Sequence, residues 1–205
     1  MIELQNINKK FDNHVLFTNF NLRVDSGEFI GILGKSGQGK TTLLNIMGAL
    51  ENPDSGIVKI KGKNTQKMKR LLLRDELGFI FQNFALVDNL TVRNNLEIAL
   101  KHKRMKKQES EKQMEWALKQ VDLAGYSSKK IYNLSGGEQQ RIAIARLLLK
   151  DPSIILADEP TGSLDSENRD IIVTLFKKLH NTGKTIVMVT HDEDLISHFS
   201  RTIQL

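Results

Sequence analysis

Residues 29 to 42 read FIGILGKSGQGKTT, and this stretch constrains the fold more than any other. Phe29 to Leu33 is a compact apolar run that stops at Gly34, as a buried parallel strand does. Gly34 to Thr41 (GKSGQGKT) fits G-x-x-x-x-G-K-[ST], and Leu43, Leu44, Met47 and Leu50 then fall at helical spacing. Strand, glycine loop and helix in that order predict a cradle for a polyphosphate. Glycines at 34, 37 and 39 let the backbone of Gly34, Lys35, Ser36, Gly37, Gln38 and Gly39 wrap closely around it. Successive N–H groups and the helix N-terminus then face the anionic oxygens. Lys40 is placed to reach the β- and γ-phosphates. Thr41 offers a hydroxyl suited to Mg²⁺, and Thr42 a further donor near the α-phosphate side. An ordinary glycine-rich turn is the rival reading, and the flanking strand and helix weigh against it.

A second half-site lies far along the chain. Ile154 to Ala157 is an apolar strand that delivers Asp158 and Glu159 to the carboxyl edge of a sheet, where α/β proteins bind ligands. Asp158 is suited to hold Mg²⁺ through its water shell, and Glu159 to polarise an attacking water. Alone, such a pair reads as a loop opening or helix cap. Together with a phosphate loop it reads as the metal and water half of a phosphoryl-transfer site.

The surrounding pattern is that of an α/β domain. Ile2 to Ile7 and Phe20 to Val24 alternate apolar and polar residues, with a turn at Ser26-Gly27. Leu77 to Phe81 and Thr185 to Val189 are further buried-strand candidates, the latter preceded by a helix bearing Ile171, Ile172, Leu175, Phe176 and Leu179. Between Gln82 and about Lys150 helical spacing takes over, at Val92 to Leu100, Gln108 to Val121 and Gly137 to Leu149. The expectation is one domain over residues 1–205. It has a mainly parallel phosphate-loop NTPase core (about 1–81 and 151–205), an N-terminal antiparallel β region and an inserted helical lobe (about 82–150). Trp116 is expected to pack inside that lobe.

With 205 residues, 40% hydrophobic and 26% charged, the chain is globular in balance rather than disordered. It has no cysteine, which excludes disulfides and Cys-based zinc sites. The opening MIELQNINKKF lacks a signal-peptide core, and nothing approaches the roughly 18 apolar residues of a membrane span. If a membrane is involved, another polypeptide must cross it. The net charge of +6 suits nucleic acid, anionic lipid or phosphate ligands alike. Its densest run, Lys101 to Lys107, reads as a solvated face or loop.

Leu134 to Gln140 reads LSGGEQQ, and a helix follows. Ser135 supplies a hydroxyl, Gly136 and Gly137 unobstructed N–H groups, and the helix start a second anion site. Here the chain resembles the ABC-type ATPases, whose signature is this LSGGE string, Leu134 to Glu138. The resemblance covers nearly the whole chain and implies ATP and Mg²⁺ as ligands. It also implies a head-to-tail dimer in which each signature caps the partner's ATP. Phe11 falls where the family stacks an aromatic on adenine; Tyr is commoner there, and a core Phe is the rival. Gln82 matches the glutamine that touches Mg²⁺ and the attacking water. Ser163, Leu164 and Asp165 match the loop that crosses the dimer interface, and His191 the histidine that contacts the γ-phosphate.

ADEPTGSLD and FQNFALVDNLTVRNNL are similar to the macrolide-efflux, lipoprotein-release and bacteriocin-export ATPases, and within that group resemble the bacteriocin-export branch most. The implied role is to power membrane export or mechanical transmission for a peptide, antibiotic or lipoprotein-like cargo. The implied location is the cytoplasmic face of the membrane, through a separately encoded permease that meets Asn83 to Leu90. With the sequence ending soon after His191, the regulatory domain of many importer ATPases is not expected, and the expectation leans toward export. Two alternatives stay open: a soluble ATPase acting on nucleic acid or ribosomes, for which only the basic charge speaks, and a signalling relay to a membrane partner. No nucleic-acid partner is expected.

Overall fold

Five consecutive residues without a polar side chain, Phe29–Leu33, form β3, and all five are buried in the computed structural model of the chain. The structure describes every residue except Asn13 and Arg104. The backbone forms two compact units, one of residues 1–77, 153–159 and 179–205, the other of residues 78–152 and 160–178.

The first unit opens with β1 (Ile2–Phe11) and β2 (His14–Val24), paired antiparallel as the alternation predicts. After β3 comes α1 (Lys40–Met47), which buries Leu43, Leu44, Ile46 and Met47. β4 (Ser55–Ile60) pairs antiparallel with β1, and the two-residue β5 (Lys63–Asn64) with β4. α2 (Thr65–Asp75) starts on Asn64, whose side chain accepts from the N–H groups of Gln66 and Lys67. β6 (Leu77–Ile80) then leads the chain into the second unit.

That unit holds α3 (Val92–Leu100), α4 (Lys107–Gln120) and α5 (Gly136–Lys150), all three close to the positions that periodicity predicts. Trp116 corrects the expectation. It lies on α4 but is 45% exposed, because Met114, Ala117 and Leu118 form the buried face of that helix. In the basic run, Lys101, His102 and Lys103 are exposed between α3 and α4, and Arg104 lies outside the described residues.

The chain returns through β7 (Ile154–Asp158), runs along α6 (Ser166–Asn181) and re-enters the first unit with β8 (Thr185–Thr190) and β9 (Arg201–Gln204). β3 lies between β8 and β9, and β8 pairs with β7 on its other side, all parallel. Leu33 is level with Thr190, and Asp158 with Val189, so the carboxyl ends of β3, β8 and β7 line up.

Gly31 sits in the middle of β3 under Phe199, and a Cβ there would overlap the ring, which stands edge-on to Phe29 at 5.2 Å between centroids. Gly31→Ala is therefore expected to destabilise the fold by about 1–3 kcal/mol in urea unfolding followed by circular dichroism. Adding Phe199→Leu is expected to recover part of that loss. An unchanged midpoint for Gly31→Ala alone would contradict this packing.

Candidate nucleotide site

Directly beyond Leu33 the backbone turns through Gly34 to Gly39 and enters α1. Gly37 and Gly39 adopt φ of 83° and 88°, conformations that cost a residue with a Cβ and cost glycine little. Lys35, Ser36, Gly37 and Gln38 are exposed, and the Gln38 side chain accepts from the Lys35 N–H, bracing the loop from within. Thr42 is half-buried. Lys40 is the loop's buried charge. Only 8% exposed, its ammonium donates to the carbonyls of Gly34 at 2.7 Å and Lys35 at 3.0 Å, and no carboxylate pairs with it among the described residues. A cation solvated by two carbonyls at the mouth of a glycine loop and a helix N-terminus suits a phosphate chain.

The Thr41 hydroxyl donates to Asp158 Oδ1 at 3.0 Å, which joins the loop to the end of β7. Burial pushes the Asp158 carboxyl above its usual range, opposed by the Thr41 hydrogen bond, aided by the nearby Glu159 charge and opposed again by Lys40. Two adjacent hard oxygen donors, in a spot where negative charge is costly, fit a Mg²⁺ ion. Glu159 follows at φ 46°, a left-handed conformation rare for a residue with a side chain. Its N–H donates to the Val189 carbonyl at 2.9 Å, which ties the turn to β8. The Glu159 side chain is 13% exposed, and its Oε2 lies 2.9 Å from His191 Nδ1 but accepts no aligned hydrogen bond there. His191 is 65% exposed at the end of β8. Phe11, at the end of β1, is not a core residue. It is 48% exposed, and Lys9 Nζ stands 4.7 Å from its ring centroid.

The second unit holds the remaining expected residues. Ser135 caps α5 in a reciprocal box: its hydroxyl accepts from the Glu138 N–H at 3.2 Å, and its own N–H donates to Glu138 Oε2 at 2.8 Å. Gly136 is exposed while Leu134 is buried. Gly137 lies so close to Asn168 of α6 that a Cβ would overlap the amide. Asn168 also donates to Asp165, which thereby caps α6 beside Ser163 and Leu164, and accepts from Arg141 at 3.1 Å. Gln82 is exposed just after β6.

Residues 17–162 match the family model described as ABC transporter. The chain belongs to that family. Solved structures similar to this ABC ATPase include MJ0796, described as a dimeric bacterial ABC transporter cassette. It is 41% identical, with a TM-score of 0.91 over 100% of this chain and 94% of that one. A second MJ0796 structure is a dimeric post-hydrolysis state bound to ADP and Pi, at 40% identity. Among relatives, the uncharacterised ABC transporter ATP-binding protein YvrO of Bacillus subtilis is 41% identical over 99% of this chain and 92% of its own length. The lipoprotein-releasing system ATP-binding protein LolD of Aquifex aeolicus is 39% identical over 100% and 93%. The macrolide export ATP-binding/permease protein MacB of Neisseria meningitidis is 38% identical over 100% of this chain, which spans about a third (33%) of that protein. These relatives place the ABC ATPase in the macrolide and lipoprotein-release group.

Within the first unit of this ABC ATPase the structure brings Lys40, Thr41, Asp158, Glu159 and His191 to one edge of the sheet. Within the second it brings the signature and residues 163–165 to neighbouring helix starts. Sequence reasoning passed over two polar residues of the second unit, Asn95 and Arg146. The available signal was a polar side chain in register with buried apolar ones: Asn95 beside Leu96 on α3, Arg146 beside Ala145 and Leu149 on α5.

The cap on α5 titrates. Burial pushes Glu138 up, but hydrogen bonds from the Ser135 N–H, Tyr126 and the Ser135 side chain outweigh it and leave the carboxyl below its ordinary value. A carboxyl depressed by folding stabilises fully above its unfolded pKa, and that contribution fades as pH falls through the folded one. Glu138→Gln is thus expected to be less stable than wild type at pH 7, with the gap closing in thermal melts below about pH 4, the ordinary glutamate range. A gap independent of pH would show that the ionised cap contributes nothing. Ser135→Ala is expected to cost about 1 kcal/mol.

Proposed function

We propose that this ABC ATPase is the motor subunit of a membrane complex that exports, or transmits force to, a peptide, antibiotic, bacteriocin or lipoprotein-like cargo. The carrying observation is the buried, carbonyl-solvated Lys40 beside the Thr41–Asp158 pair, in a chain whose other unit offers a second anion-facing helix start at Ser135 and Gly136. The dimeric MJ0796 cassette supports a pair of copies. In that pair, the Lys40 loop of one copy and Leu134, Ser135, Gly136, Gly137 and Glu138 of the other grip one ATP.

Phe11 stacks on the adenine while the N–H groups from Gly34 to Thr42 and the Lys40 ammonium hold the phosphates. Thr41, Asp158 and Gln82 would hold Mg²⁺, which would neutralise the phosphate oxygens. Glu159 takes a proton from water as that water attacks the γ-phosphorus in line. The bond from phosphorus to the β,γ-bridging oxygen breaks, ADP departs with that oxygen and the bond's electron pair, and the water oxygen stays on the released phosphate. His191 contacts the γ-phosphate, and Ser163, Leu164 and Asp165 cross the dimer interface. Tighter binding of ATP than of ADP by the closed pair then supplies the stroke.

Among the described residues no helix is long and apolar enough to cross a membrane. The name of MacB, an ATP-binding/permease protein, supports a permease partner, and in this reading the ATPase attaches to it at the cytoplasmic face. Residues 1–81 and 151–205 form the nucleotide-binding core in this reading. Residues 82–150 form the lobe, with Asn83 to Leu90 as its contact with the permease.

Glu159→Gln keeps the side chain's shape and removes the base. It is expected to bind ATP normally, to lose about 10²-fold or more in turnover, and to elute as a dimer from a sizing column in ATP and Mg²⁺. A variant that stays monomeric while saturated with ATP would count against the clamp.

A further inference from the structure

Arg146 occupies a position on α5 where helical spacing asks for an apolar side chain, since Ile142, Ala143, Ala145 and Leu149 around it are all buried. Burial alone holds its guanidinium below the usual arginine range. No carboxylate pairs with it among the described residues; it donates instead to two backbone carbonyls, Nη1 to Ala85 at 2.6 Å and Nη2 to Phe84 at 3.2 Å. Arg146 is half-buried and has only neutral partners, so the two carbonyl acceptors matter to how its guanidinium sits.

Those acceptors belong to an unusual turn. Phe84 and Ala85 have φ of 60° and 47°, and two consecutive left-handed residues that are not glycine are strongly disfavoured. Local bonds close the turn, from the Phe84 N–H to the Phe81 carbonyl at 3.0 Å and from the Ala85 N–H to the Asn83 carbonyl at 2.7 Å. Downstream, the fully buried Asn95 of α3 accepts from the Val87 N–H at 2.8 Å and donates to the Val87 carbonyl at 3.1 Å and the Thr91 carbonyl at 3.0 Å. The stretch between Gln82 and Leu90 is therefore gripped by a side chain from α5 and another from α3.

We propose that Arg146 is a positioning residue: its two-pronged grip on Phe84 and Ala85 fixes the orientation of Gln82 and makes residues 83–90 move as one body with the signature helix α5. The proposal rests on the reading of Gln82 as a residue that touches the metal and the attacking water. A lysine cannot replace the arginine, because a point donor cannot hold two carbonyls in a fixed fork.

The test combines amide exchange with kinetics on the full chain. Arg146→Met matches the apolar face and removes a half-buried charge, so it is expected to fold. Amides of residues 83–87 should then exchange about tenfold faster or more. The kcat for ATP should fall roughly ten- to hundredfold, with KM for ATP changed less than about twofold, since the Lys40 loop is untouched. Arg146→Lys should resemble Arg146→Met. Ala85→Gly in the Arg146→Met background should restore part of kcat, because glycine adopts the left-handed turn without help. An active wild type whose exchange and kcat both ignore Arg146→Met and Arg146→Lys overturns the proposal. So does a loss of kcat matched by an equal rise in KM. A wild type with no ATPase activity, whose exchange still responds to Arg146→Met, overturns the ATPase reading and leaves the grip standing.

Discussion

Everything at the candidate site depends on the parallel pairing of β8 with both β3 and β7. Parallel strands in one sheet finish at the same edge. The glycine loop after Leu33, the His191 turn after Thr190 and the carboxylates after Ala157 therefore emerge side by side, although Thr41 and Asp158 lie 117 positions apart in sequence. The Thr41–Asp158 hydrogen bond is the chemical consequence of that register. Shifting β7 by one residue would turn Asp158 to the other face and leave the hydroxyl without its carboxylate.

The two charges of the site are managed differently. Lys40 is buried but solvated by loop carbonyls, neutral acceptors that a phosphate chain outcompetes. Asp158 is partly desolvated and close to Glu159, so its ionised form is disfavoured until positive charge arrives. A fold that leaves a cation short of anions beside a carboxylate short of cations favours a ligand carrying both signs, as a metal–polyphosphate complex does. Glu159 adds backbone strain at φ 46°, held by the bond to Val189.

Strongly periodic elements were legible in the chain itself. β3, α1, β7 and β8 carry uninterrupted apolar runs or clear helical spacing, and they lie where pattern puts them. β9 did not show, because its four residues are mostly exposed and only pairing with β3 makes them a strand. β5 is two residues long and α2 buries only Thr65 and Leu72, so neither carries a stripe to read. Trp116 misled because a large aromatic is usually covered, whereas the neighbouring Met114, Ala117 and Leu118 already fill the buried face of α4.

The sequence by itself determined the chemistry: a glycine loop with its lysine, an Asp-Glu strand end, and a serine-glycine helix start, each a local string whose neighbours set its geometry. Only the tertiary structure decided which of these meet. Thr41 reaches Asp158, Glu159 approaches His191, and Arg146 closes on the carbonyls of Phe84 and Ala85. Such contacts depend on strand register and helix packing between segments far apart in the chain, and side-chain periodicity records burial but not which partner lies opposite.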